Sequence, residues 1–230
     1  MTLPAIVNTA RTLSYYNTLQ DVTANNLANV NSDAFKGDRI TAVASTGDMH
    51  PVASESTDLR QGDLRDTGRP LDVALQGPGF MVVSTPAGER LTRSGSLVAG
   101  PGGILSDKRG NAVLGTDGPI NVTGNKVVIN PDGTIVVDGT TVGQLRLETV
   151  PNLQAMTRQG EGLFVPNQKT IAVAPDDIGV HQGAIEDSNV NPLSGSVDMI
   201  MIQRAYASSV EALRTMDSVL GTVTGDIAKI

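Results

Sequence analysis

The sequence predicts an α+β protein in which a mainly β central domain is inserted between N- and C-terminal α-helices that pair as a coiled-coil-like helical domain. Three observations predict it. Residues 1–32 contain no Gly and only two charges, Arg11 and Asp21. Residues 37–185 are rich in Gly, Val and Thr, with frequent turn signals. Residues 192–230 return to helical spacing, with apolar positions in steps of three and four. The resulting partition is a helical domain over 1–35 plus 186–230, an extended connector over 36–68, and a β-rich domain over 69–185.

The first helix follows from its spacing. Ile6, Leu13, Gln20 and Leu27 lie seven apart, as do Thr9, Tyr16, Thr23 and Val30. Five of these eight are apolar. Pro4 is tolerated in a first turn. Asn25, Asn26, Asn29 and Asn31 are poor helix formers, because their side chains compete for nearby backbone groups. The helix therefore ends near Val30 and leaves through Asn29-Val30-Asn31. Its other faces carry Asn, Thr, Ser, Gln and Ala rather than the charges of a solvated face. Periodicity alone is equally served by packing on a globular core. The scarcity of charge tips the reading towards a helix buried by assembly.

The polar stretch 36–68 has few apolar anchors and reads as a connector. Beyond it, Leu71–Ser84 gives two short strands around Gly77-Pro78-Gly79. Residues 102–115 form a hairpin turning at Asp107–Asn111. Residues 126–150 hold a stronger one, with a turn at Pro131-Asp132-Gly133 and a second at Gly139. Short strands at this spacing predict an all-β domain. The last helix opens at Asn191-Pro192: an Asn N-cap accepts from free backbone N–H groups, and Pro is favoured at the first helical position. Met199, Ile202, Tyr206, Ser209, Leu213, Met216, Leu220, Val223 and Ile227 form a heptad seam. Gly221 and Gly225 weaken its end. The tripeptide Asn-Val-Asn recurs at 189–191, so the same polar punctuation marks the exit from one helix and the entrance to the other. Asn29, Asn31, Phe35, Asn189 and Asn191 are the expected domain-junction residues.

Composition excludes several functions. The 230-residue chain has a net charge of −7, which disfavours general nucleic-acid binding by phosphate neutralisation. It has no Cys, hence no disulfide, thiolate metal site or thiol nucleophile. No apolar run approaches the ~20 residues of a membrane span, so membrane insertion is not expected. A cleaved secretory signal is not expected either, because the N-terminus lacks a basic region and an apolar run. The two histidines, His50 and His181, make no metal-ligand spacing. No nucleophile elbow, phosphate loop or zinc-hydrolase motif is present. The turn aspartates do not form a calcium loop. Neither enzyme activity nor a cofactor is expected. A glycan-binding β protein would need aromatic platforms, yet the chain has three Phe, three Tyr and no Trp.

Three blocks carry a resemblance. They are Ala24–Lys36 (ANNLANVNSDAFK); Gln61–Val83 running into 90–115; and Gly183–Gly221, which contains SNVNPLSG and QRAY. In this order they resemble the bacterial flagellar axial proteins, the rod and hook subunits. Ala34 stands where that family usually has Gly, Met81 replaces a Phe, and Ala207-Ser208-Ser209 replaces a more polar run. The resemblance implies a structural subunit whose terminal helices form an inner tube, with an outer β layer. It implies partners among other rod subunits, self-association in a helical assembly, and passage through the flagellar type III export apparatus without a cleaved signal. It implies a place in the basal-body rod, which crosses the periplasm. The short interval Gly37–Pro70 is most like the proximal-rod subunit that carries a β domain and adjoins the distal rod. A distal rod subunit and a low-copy junction or adaptor protein are the alternatives. The residues expected at assembly interfaces are Ile6, Leu13, Tyr16, Leu27 and Val30 on the first helix. On the last they are Met199, Ile202, Tyr206, Leu213, Met216, Leu220 and Val223.

Overall fold

A computed structural model describes residues 2–44, 51–174 and 177–227. Two long helices flank a β-rich middle: α1 spans Thr2–Ala28 and α2 spans Pro192–Ile227. The class is therefore α+β. The chain divides into two compact units. The helical unit contains residues 1–30, 38–58 and 190–230; the β unit contains 31–37 and 59–189.

In the helical unit α1 packs alongside α2. Gly195 marks a close approach: a Cβ there would lie 3.1 Å from Leu27 Cδ1. A helical Gly costs roughly 1 kcal/mol relative to Ala, and here it leaves room for Leu27. The interval expected as an extended connector, 36–68, instead contributes a hairpin to this unit. Asp38–Ala44 pairs antiparallel with Pro51–Thr57, in the register Asp38↔Thr57 and Ile40↔Glu55. The reason is local. Backbone pairing along seven residues per strand satisfies the peptide groups without needing an apolar face, so apolar periodicity does not reveal it.

In the β unit, a sheet runs in the order Thr157–Gly160, Leu163–Val165, Gly88–Thr92, Phe80–Thr85, Ala112–Gly115, Leu105–Asp107, Leu97–Ala99. The strands expected around Gly77-Pro78-Gly79 are Val73–Gln76 and Phe80–Thr85. They do not pair with each other. Val73–Gln76 pairs with Gly179–Gln182, and Phe80–Thr85 with Gly88–Thr92. The turn over Asp107–Asn111 joins Leu105–Asp107 to Ala112–Gly115, and the Asp107 carboxylate accepts from the N–H groups of Arg109 and Asn111 at 2.9 Å each. The 126–150 region forms the three-stranded sheet Val127–Ile129, Thr134–Val137, Thr140–Gln144.

Phe80–Thr85 sits at the centre because both of its faces are covered. Met81 and Val83 point into one apolar cluster with Val73, Leu75, Leu97, Leu105 and Val113. Phe80 and Val82 point into another with Leu91, Leu114, Val150 and Phe164. Successive residues alternate faces, so the run Phe-Met-Val-Val is apolar throughout. Met81 is fully buried in the first of these clusters.

Candidate functional site

The residues expected on the helical seam fall into three groups. Ile6, Leu13, Tyr16, Leu27 and Val30 on the N-terminal side, and Met199, Ile202, Tyr206, Leu213 and Leu220 on α2, are half-buried. Met216 is exposed, 36% accessible. Val223 lies outside the residues whose side chains are described. A second apolar group on α2 escaped the heptad reading: Leu193, Val197, Ile200 and Met201 are 75, 43, 51 and 62% exposed. At about 100° per residue they lie on the opposite side of the helix from Ile202 and Tyr206.

The junction residues separate by role. Asn29 donates from Nδ2 to the Asn25 carbonyl (2.9 Å), capping the end of its own helix. Asn191 caps the start of α2: its Oδ1 accepts from the N–H groups of Leu193 (2.9 Å) and Ser194 (3.2 Å). These groups have no carbonyl partner inside the helix. Asn189 works differently. Its Oδ1 accepts from Gly37 N–H (2.9 Å), its Nδ2 donates to Arg60 C=O (3.0 Å), and its own N–H donates to Phe35 C=O (3.2 Å). The second Asn-Val-Asn is thereby tied to the segment that follows the first. Asn31 is exposed at the surface. Phe35 is buried, with the Arg158 guanidinium 4.6 Å from its ring centre, a cation–π contact. In the helical unit Asn26, read from sequence only as a poor helix former, holds both backbone polar groups of Asp38: Nδ2 donates to its C=O at 2.8 Å, and Oδ1 accepts from its N–H at 2.9 Å.

The sequence reading also missed a buried charge cluster in the β unit. Glu186 is wholly inaccessible. It pairs with Lys36 through Oε1 and with Arg93 through Oε2, the latter at 2.9 Å. Gly62 N–H donates to Oε1 at 3.0 Å. Lys36 also donates to Arg60 C=O (2.7 Å), and Arg93 to the carbonyls of Leu75, Gly77 and Gly79. Burial of charge is costly unless paired and hydrogen-bonded, and these groups are both. No sequence signal points to them, because Lys36 and Glu186 are 150 residues apart.

Near this cluster Asp33 accepts from Ser96 Oγ (2.6 Å) and Lys108 Nζ (2.8 Å). Burial pushes its carboxyl up, but the hydrogen bonds from Lys108 and Ser96 and the charges of Lys108 and Arg65 outweigh this, so its pKa lies below the usual value. His181 pairs with Gln76 at 2.7 Å; His50 lies outside the described residues. Among the described residues no group of three His, Asp or Glu could hold a metal ion, and no helix is long and apolar enough to cross a membrane.

Two terminal helices that pack on each other, with a β-rich unit between them in sequence, define an α+β protein with exposed apolar side chains along α2. A family model described as "Flagellar basal body rod FlgEFG protein C-terminal" matches residues 181–225. The chain is 31% identical over 220 residues to the flagellar basal-body rod protein FlgF of Mesorhizobium japonicum, covering 86% of this chain and 91% of that one. It is 32% identical over 221 residues to FlgF of Salmonella typhimurium (86% and 88% covered). It is 30% identical over 240 residues to the rod protein FlgG of Buchnera aphidicola (87% and 90% covered). The chain belongs to the family of flagellar basal-body rod proteins. It is a structural component of the rod in the flagellar basal body, and its relatives are structural proteins rather than enzymes.

Proposed function

We propose that this chain is a subunit of the proximal rod that assembles through its terminal helices into the axial drive shaft. The observation that carries the assembly reading is the open apolar face of α2. Leu193 and Met201 are 75 and 62% exposed, at helical spacing with Val197 and Ile200. Large apolar side chains exposed together along one helix face mark an interaction site. The half-buried residues between α1 and α2 are read as coiled-coil-like packing that neighbouring subunits complete. The partners are other copies of this chain and other rod subunits, after passage through the export apparatus; the rod they form crosses the periplasm. The short interval between Gly37 and Pro70, occupied by one hairpin and the strand Leu64–Asp66, favours the proximal over the distal rod.

Two substitutions test the reading. Ile200→Asp places a carboxylate on the open face without touching the packing of α1 on α2. Leu213→Asp places one in the half-buried seam, where lost apolar burial alone costs about 1.5–3 kcal/mol. Both should abolish rod assembly and swimming while the β unit melts at its normal temperature. Normal motility of the Ile200→Asp strain would refute assembly through this face. A subunit-resolved density map of the basal body would decide proximal against distal.

A further inference from the structure

Of the first 58 residues, only the seven from Asn31 to Gly37 belong to the β unit; the chain on both sides of them belongs to the helical unit. This short piece is held as a bound peptide is held. Ala34 N–H donates to Glu186 C=O at 2.7 Å, Asn189 N–H donates to Phe35 C=O, and Gly37 N–H donates to Asn189 Oδ1. Three successive features are then read by side chains. The Asp33 carboxylate meets Ser96 and Lys108. The Phe35 ring is buried beneath Arg158. The Lys36 ammonium enters a closed site made by Glu186 and the Arg60 carbonyl. Lys36 is 2% exposed and Glu186 not at all. Ala34 has φ +53°, in the left-handed region, and this bend is compatible with burying Phe35 and Lys36 together.

We propose that the β unit carries a peptide-recognition site for the segment Asp33-Ala34-Phe35-Lys36, filled here by the chain's own segment and able to take the same segment from a second copy. The ligand class is a bent peptide presenting carboxylate, aromatic ring and lysine in that order. Every receptor group, from Arg60 and Ser96 to Glu186 and Asn189, comes from residues 59–189. The segment is covalently remote from all of them, 24 residues from the nearest (Lys36 to Arg60) along the chain. Such an element can exchange between copies without altering the receptor.

The test uses the full-length chain with Phe35→Ala and Lys36→Ala together, which vacates the site and leaves the receptor unchanged. A synthetic peptide of residues 29–39 is titrated in by calorimetry and followed by thermal melting. It should bind this variant, raise its melting temperature, and not bind the unaltered chain. The same peptide with Lys36→Met should bind about tenfold more weakly or worse, as loss of a charge-assisted hydrogen bond requires. Should the double variant not fold, the unaltered chain is refolded from denaturant with excess labelled peptide; folded product should then retain the label. A folded variant that ignores the peptide, equal binding of the Lys36→Met peptide, or refolded chain without label would each overturn the proposal.

Discussion

Glu186→Gln is the most informative single change in the β unit. It keeps the size of the side chain but removes the carboxylate that pairs with both Lys36 and Arg93. Removing one partner of a buried ion pair costs about 3–5 kcal/mol, because the remaining charge is left uncompensated. Here two cations are left, which argues for the upper end. Arg93 nevertheless keeps three carbonyl acceptors and Lys36 keeps the Arg60 carbonyl, which pulls the cost back to roughly 3 kcal/mol. For a unit of this size each kcal/mol shifts the melting temperature by about 3–5 °C, so a fall of about 10–15 °C is expected. Lys36→Met is the contrasting variant. Glu186 then still has Arg93 and Gly62 N–H, and the loss should be about 1–2 kcal/mol. Differential scanning calorimetry of both, at neutral pH, measures the two costs. If Glu186→Gln costs under ~1 kcal/mol, or less than Lys36→Met, the reasoning that Glu186 is the shared counter-charge fails.

Four further outcomes follow from the junction and the segment beside it. Asn189→Ala removes the two side-chain hydrogen bonds that bridge Gly37 and Arg60 and should destabilise the β unit by about 1–3 kcal/mol in urea titration, while Asn191→Ala should cost about 0.5–2 kcal/mol of α2 stability through the lost cap. Ala34→Gly relieves a left-handed Ala, worth roughly 1–2 kcal/mol, but forfeits a buried methyl worth about 0.8 kcal/mol; stability should rise by up to ~1 kcal/mol, and a clear loss would contradict the backbone assignment. In acid, the Asp33 contribution is fully present above the ordinary value of 3.8 and is lost as the pH falls through its lowered folded-state value. Asp33→Asn should therefore flatten the stability-versus-pH curve below about pH 4 and leave neutral-pH behaviour with a constant offset.

What the sequence determined by itself was set by local rules. The two helices are legible because apolar residues recur at helical spacing and Asn-Pro marks the start of α2; Asn191 caps it as that motif requires. The turns at Asp107–Asn111 and Pro131–Gly133 are legible because Asp and Gly act on backbone within a few residues of themselves. The family is legible because its blocks survive in order along the chain. Tertiary structure alone decided which strands pair, since Val73–Gln76 finds its partner more than 100 residues away at Gly179–Gln182. It also decided that Asp38–Ala44 pairs with Pro51–Thr57 through backbone groups, for which side-chain periodicity carries no mark. The Lys36–Glu186–Arg93 cluster belongs to the same category. A charged residue in a sequence reads as solvated, and only the closing of the chain brings its counter-charges near enough to make burial tolerable.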